Sequence, residues 1–419
     1  MVNSRFALGF FTKDIKISFR KFVTVTLLFA NNLVWFYIFH SYLLDMLLRS
    51  PEIDLTYTFL GKMLFYSLAV VSGIIGSLIS EKVQRRKFLL FWLILGLLTT
   101  ASLAFFSGLE FSMLSSALLG ISFGLGIPTC QAFLTESTVI EERGRIAGIV
   151  CFTTFTLVVL ILLISQILAF GLLELVFVCV ALKVASFLAL IIDPCSREEG
   201  PIKPWITMIA SRDFAYYLFP WLMFHLANGI LLFGSFSSEF EHVMTMGRVF
   251  EYLGTIITAL IAGFMADYFG RKWPILIGLV MLGVTYALFG LVASPETYFI
   301  SMAVEGIAWG LVAVVYMQVV LGDLSSPFGS KERFYAVGGI VIPLFMFTVF
   351  SIVQEGTGIT VPANTISSFL SIALLVSVIP VIRASETLPF SKIHARKLRE
   401  HIEKVGKLVK ESKQTEQNA

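Results

Sequence analysis

Twelve stretches of about twenty mostly apolar residues follow one another along this chain of 419 residues. A helix of that length crosses roughly 30 Å of hydrocarbon. The runs lie near 22–47, 57–80, 88–107, 111–134, 147–170 and 173–192, then near 214–236, 249–267, 273–293, 297–321, 335–354 and 361–382. With 57% apolar and only 14% charged residues, no soluble fold of this size could hide the apolar surface. The expectation is an all-α membrane protein of twelve transmembrane helices in two six-helix halves, its 40 Phe and 31 Gly suited to helices packed in lipid. The first run lacks a small-residue cleavage site and is too long for a signal-peptide core, so it reads as a span.

Between the sixes, 193–213 holds Pro194, Pro201, Pro204 and Arg197-Glu198-Glu199, which reads as a linker. The plan is an N-tail (1–21), a first half (22–192), the linker, a second half (214–383) and a basic C-tail (384–419). If both termini are cytoplasmic, 27 of the 31 Lys and Arg fall on that side. The opposite face keeps Arg49 and Arg248, with Lys62 and Lys183 inside spans, and without the C-tail the split is still 18 to 2. A multi-pass plasma-membrane protein is expected. In the tail, Leu398, Ile402, Val405 and Val409 stand at helical spacing, which suits a solvated helix or one lying on anionic lipid.

Cys130, Cys151, Cys179 and Cys195 form no CxxC pair and read as small apolar residues. No metal or cofactor is expected, and the chain offers no phosphate-cradling loop, nucleophile motif or metal-ligand spacing for an enzyme. Nothing points to nucleic acid.

Sliding the chain by 186 places Trp35 on Trp221, Glu81 on Asp267 and Arg85 on Arg271. In the window 110–125 against 296–311, seven of sixteen positions are identical, among them Gly120/Gly306 and Gly124/Gly310. Two parallel halves joined by a linker are the plan of a carrier whose site lies between them.

Between spans 8 and 9 stands Gly263-Phe264-Met265-Ala266-Asp267-Tyr268-Phe269-Gly270-Arg271-Lys272. Asp267 at a helix end can pair with basic residues or accept from a neighbouring helix N-terminus, Gly263 permits close helix contact and Gly270 a tight turn. The first half carries a degraded copy, Ser77 to Arg86, with Glu81 for the Asp and Gln84 for the second Gly. After span 4 come Glu136 and Arg143-Gly144-Arg145, and after span 12 Ser385-Glu386-Thr387. These elements resemble the major facilitator superfamily, nearest in pattern to its sugar-porter and organic-solute branches. The resemblance implies a conformational latch made of Gly263, Asp267, Gly270, Arg271, Lys272, Glu81, Arg85, Glu136 and Arg143. It also implies substrate contacts from spans 1, 4, 7 and 10. Ser116 stands where the family has an Arg in span 4, the paired glutamines of span 7 are absent, and span 5 lacks the Gly-Pro of drug antiporters.

Ionisable and polar groups at membrane depth are site candidates by default. Glu305, roughly 12 Å inside span 10 at 1.5 Å per residue, suits proton coupling and substrate binding. Its repeat mate is Leu119, so the carboxyl does not follow from the duplicated scaffold. His225 and Asn228 on span 7 share a face, and Asn31 with Trp35 on span 1 offers an amide and an aromatic wall for a small organic solute. Asn31 and Asn32 are neighbours, so only one of them can point at the site. Lys62 reads as snorkelling or as a charge for an anionic substrate, and Lys183 on span 6 as scaffold, since the resemblance makes that span peripheral. Trp309 and Gln318, nine apart on span 10, cannot both be assigned to one face.

The reading is a secondary carrier moving a small organic solute with protons across the bilayer by alternating access. Export of lipophilic compounds, or solute sensing without transport through the basic tail, stays open beside it.

Overall fold

The computed structural model describes residues 15–48, 55–196, 202–231, 233–235 and 240–393, with 398, 402 and 405 singly. The expectations on Arg5, Lys13, Arg49, Arg197, Val409 and most of the tail lie outside the described residues.

The chain is helical almost throughout. Helix α1 (Phe19–Ile38) continues through a π-helical turn, Phe39–Leu43, into Leu44–Leu48. The first half goes on with α2 (Leu55–Ser80), α3 (Arg85–Ser102), α4 (Leu109–Ser137), α5 (Arg143–Ile167) and α6 (Leu172–Ile192). A short helix, Trp205–Ile209, lies in the linker. The second half holds α7 (Arg212–Leu231), α8 (Glu241–Tyr268), α9 (Lys272–Leu291) and α10 (Pro295–Val314), the last prolonged by a π turn, Val315–Val320, and by Leu321–Ser325. Then α11 starts at Lys331–Tyr335, passes through a π turn, Ala336–Val341, and continues as Ile342–Thr357, before α12 (Ala363–Arg383). Two short parallel strands, β1 (Gly234–Ser235) and β2 (Val361–Pro362), tie the end of α7 to the start of α12.

Ten helices among the described residues are long and apolar enough to cross a membrane. Helices α3 and α7, at the places of the third and seventh expected spans, fall short in composition for a local reason. The first opens on Arg85-Arg86-Lys87, and the second on Arg212-Asp213 and carries His225 and Asn228. Helix ends also depart from the apolar runs. Two start earlier than hydropathy alone suggests: α8 at Glu241, and α5 at Arg143, whose guanidinium meets Asp323 there. Capping sets other ends: the Ser18 hydroxyl accepts from Lys21 N–H at the start of α1, and Ser294 does the same for Thr297 before Pro295 opens α10.

The repeated glycines account for the packing within each half. A Cβ on Gly120 of α4 would overlap the Phe65 carbonyl of α2, and one on its mate Gly306 of α10 would overlap the Glu251 carbonyl of α8. The pair Gly124/Gly310 repeats this one turn on, against Ala69 of α2 and Thr258 of α8. Small residues thus let backbones meet where lipid supplies no hydrophobic drive between helices. Between halves, α5 packs on α8 and α2 on α11, two contacts related by the same repeat.

Candidate functional site

Two regions gather polar groups: a network at the basic end, and a set of buried groups deeper between the helices.

At the basic end, Asp267 closes α8 and accepts from the first N–H groups of α5, those of Gly144 and Arg145, at 2.9 Å each. It also takes the Arg145 guanidinium at 3.2 Å and that of Arg271 at 2.6 Å. A carboxylate at a helix N-terminus is favoured by the unpaired N–H groups and the dipole. Gly270 has φ +110°, a left-handed turn that Gly adopts without strain, and this turn presents the Arg271 and Lys272 N–H groups to Glu386. Lys272 Nζ donates to the Ile382 and Ala384 carbonyls. Arg271 also pairs with Asp323 at 3.0 Å and donates to the Ile140 carbonyl, while Arg143 reaches the other Asp323 oxygen.

The first-half copy has the mirrored arrangement with different chemistry. Glu81 meets the start of α11, accepting from the Ser330 hydroxyl and the Arg333 guanidinium. Gln84 turns at φ −55°, so no glycine is needed there. Arg85 takes Glu136 through two bonds, 2.6 and 3.0 Å, and Glu332 at 2.8 Å, and Lys331 lies 3.6 Å from Glu136. Of the residues expected in the latch, Asp267, Gly270, Arg271, Lys272 and Arg143 stand in the cluster around Asp267, with Gly263 packed on Gly144 beside it, while Glu81, Arg85 and Glu136 stand in the first-half copy. Sequence reasoning missed Asp323, Arg145, Lys331, Glu332 and Arg333, which sit in loop-to-helix joints outside the repeated motif.

Deeper in, the buried polar groups without hydrogen-bond partners concentrate on α1, α4, α7 and α10. Among the described residues these include Asn31 Nδ2, Gln131 Oε1, His225 Nε2, Tyr316 hydroxyl and both amide atoms of Gln318. Orphaned groups of this kind are costly unless something else meets them. Two of them belong to an aromatic cluster: His225 packs edge-on to Trp221 at 4.2 Å and lies 5.7 Å from Trp309, and Tyr316 stacks on Trp221 at 4.9 Å. Gln131 crosses from the first half, donating to the Met317 carbonyl at 3.0 Å. The π turn of α10 explains why Trp309 and Gln318 escape the simple face assignment, since it changes the angular step between them.

The other expected site residues are placed differently from one another. Asn228 is half-buried and donates to the Phe224 carbonyl of its own helix. Glu305 is half-buried, with Glu251 and Arg248 of α8 as its charged neighbours and Trp309 and Tyr286 nearby. Trp35 is fully buried, donates to Thr100 of α3 and stacks between Phe39 and Phe123, so its polar handle is spent inside the first half. Asn32 is the amide that turns inward there, to Lys183 and Ser186, and Asn31 keeps the unpaired one. Lys62 neither snorkels free nor awaits an anion: it pairs with Asp45 at 3.2 Å. Gln131 and Tyr316 carried no sequence signal beyond their polarity.

A sequence model of the family described as "Sugar (and other) transporter" matches residues 234–320. No curated protein matches this chain. Among solved structures, the human organic anion transporter MFSD10 (TETRAN) is similar with 13% identity and a TM-score of 0.65, covering 86% of this chain and 99% of its own. The proton:xylose symporter XylE, bound to 6-bromo-6-deoxy-D-glucose, is similar with 12% identity and a TM-score of 0.67, over 90% of this chain and 98% of its own. The chain thus has the fold of these major facilitator proteins, helices apolar enough to cross a membrane, and a segment that matches a transporter family model.

Proposed function

We propose that the protein carries a small, neutral, hydroxyl-rich solute across the plasma membrane with protons, its termini on the cytoplasmic side. The observation that carries this is the set of orphaned, uncharged donors and acceptors at Asn31, Gln131, His225, Tyr316 and Gln318, of which His225 and Tyr316 lie against Trp221. Amides, imidazole and phenol in an aromatic setting suit hydroxyl groups, which both donate and accept, on a ring with an apolar face. An organic anion is a poorer match, because the cations that bridge the halves are each engaged by a carboxylate. Asn228 borders the site on α7, while Trp35, held by Thr100 and Lys183 inside the first half, supports α1 and does not touch the solute. Glu305 is the proton carrier, and the network around Asp267 and Arg85 is the latch that holds the cytoplasmic end shut until the halves rock.

Uptake of radiolabelled D-xylose and D-glucose into proteoliposomes, with and without an inward proton gradient, tests the reading. Gradient-driven uptake of one of them, abolished in Glu305→Gln while counterflow persists, is expected. Absence of uptake of both sugars overturns the solute class. Unchanged gradient-driven uptake in Glu305→Gln overturns the coupling role.

A further inference from the structure

The segment that leaves α12, residues 384–393, lies back across the basic end, and its anchors can be named one by one. The Ser385 carbonyl accepts from the Tyr217 hydroxyl at 2.8 Å, and its N–H donates to Asp213 at 3.1 Å, both at the start of α7. Glu386 accepts from the Arg271 and Lys272 N–H groups at 2.8 and 3.3 Å. Thr387 donates to Asp323 Oδ2 at 3.0 Å, the oxygen that also takes Arg271, while the other oxygen takes Arg143 of α5. Leu388 and Ile393 are buried, so the segment is packed down as well as tethered. All these partners except Arg143 belong to the second half. The crossing comes last: Lys392 pairs with Glu141, in the joint between α4 and α5, at 2.6 Å. Because the segment is covalently part of the second half, this pair is a bond between halves. Parting of the halves at this end breaks it together with Arg143–Asp323.

The linker makes the reverse crossing from the first half. The Lys203 N–H donates to the Phe328 carbonyl at 3.1 Å, and the Lys203 carbonyl accepts from Arg333 at 3.0 Å. Arg333 is the guanidinium that holds Glu81, and it lies 5.3 Å from the centroid of the Trp205 ring. Each half thus sends its exit segment onto the other half beside one of the two latches. They differ in one respect. The linker is fixed by the chain on both sides, to α6 and α7, so it stays in place whatever the halves do. Residues 384–393 follow α12 and lead into a polar, basic stretch rather than another span, so only contacts keep them down.

We propose that residues 384–393 are a releasable strap: docked, they hold the two halves together at the basic end, and undocked they free that end to open. The surface they occupy is the chain's own, and Lys392–Glu141 is the contact that makes the strap bridge the halves. The proposal rests on the reading that the halves part at this end, and not on the solute or on Glu305.

Exchanging the charges of the pair in the full chain tests it. The parent carries Thr135→Cys, a position that is 1% exposed, with the native cysteines replaced, and labelling by an impermeant maleimide from the basic side reports opening. A partly exposed ion pair shifts a two-state balance by about two- to fivefold. Lys392→Glu and Glu141→Lys should each raise the labelling rate by that factor, and the double variant should return it to the parent rate, which a merely misfolded segment would not do. A chain ending at Phe390 should label as fast as the single variants, and one ending at Ala395 as slowly as the parent. Glu332→Gln is the control for opening. Unchanged rates in both single variants while Glu332→Gln labels faster overturn the strap and leave the rocking of the halves in place, whereas unchanged rates in all three overturn both. A double variant as fast as the singles, or fast labelling of the chain ending at Ala395, overturns the proposal as well.

Discussion

Arg85 in the first half pairs with Glu332 in the second at 2.8 Å, and their side chains are 1% and 0% exposed. The same guanidinium grips Glu136, so one residue joins α3, α4 and α11 at the basic end. Removing one member of a buried pair costs roughly 3–5 kcal/mol, and each 1.4 kcal/mol that falls on the closed state alone shifts a two-state population about tenfold. Glu332→Gln should therefore open this end. The check is a cysteine at Thr135, now 1% exposed, in a background where the native cysteines are replaced. Its labelling by an impermeant maleimide from the basic side should rise at least tenfold, and an unchanged rate would show that the pair does not hold the halves together.

Gln318 and His225 keep unpaired polar atoms in the fold's interior. Leaving such a group unmet costs about 1–3 kcal/mol, and its replacement by an apolar side chain of similar size relieves that cost. Gln318→Leu should accordingly melt at a higher temperature in detergent than the parent while sugar uptake falls below a tenth. This opposition of stability and function marks a binding group. A variant that is less stable and fully active would place Gln318 outside the site.

Much of this was legible because membrane proteins write their architecture in hydropathy and charge. The Gly120/Gly306 and Gly124/Gly310 identities found by sliding the chain are the residues that let α2 meet α4 and α8 meet α10. The expectation that Asp267 accepts from a helix N-terminus named the chemistry but not the helix, since only the fold brings Gly144 of α5 to it. The central groups were harder. Trp35 and Asn31, one turn apart, looked like partners, yet Trp35 is held by Thr100 and Lys183. Gln131 is one amide in a buried helix, with nothing local to separate it from a structural glutamine. The π turns in α1, α10 and α11 change the angular step that face assignments depend on, and no residue pattern announced them.

Glu141, in the joint between α4 and α5, is held below the usual carboxylate range. Partial burial alone would raise it, but the Lys392 ammonium at 2.6 Å more than offsets that. A carboxyl lowered in the folded state contributes stability above its unfolded pKa of about 4.3, and that contribution is lost as pH falls through the lower folded value. The segment around Lys392 should thus stay docked at pH 6 and loosen only in the acid range, below that unfolded value. Hydrogen exchange of peptides covering 389–393 would report this, and Glu141→Gln should show the loosened exchange already at pH 6. Equal protection in that variant would remove the pair from the docking of this segment.

Helices α5 and α8 touch backbone to backbone at the basic end, where a Cβ on Gly144 would lie 2.5 Å from the Gly263 carbonyl oxygen and one on Gly148 would lie 2.8 Å from that of Ala259. The two 2.9 Å bonds from Gly144 and Arg145 N–H to Asp267 depend on that approach. A methyl group at Gly263 would overlap the Gly144 carbonyl, so Gly263→Ala must part the helices and lengthen those bonds. Overpacking of this kind costs about 1–3 kcal/mol, and here it falls on the closed state of one end. Uptake should drop at least tenfold, with increased labelling of the Thr135 cysteine. Gly171→Ala is the control. It sits at φ −85°, and a Cβ there would meet only the Glu174 carboxyl, 3.1 Å away, so stability should move by no more than about 0.5 kcal/mol with uptake unchanged. If the two variants behave alike, the close approach of α5 and α8 does not govern the closed state.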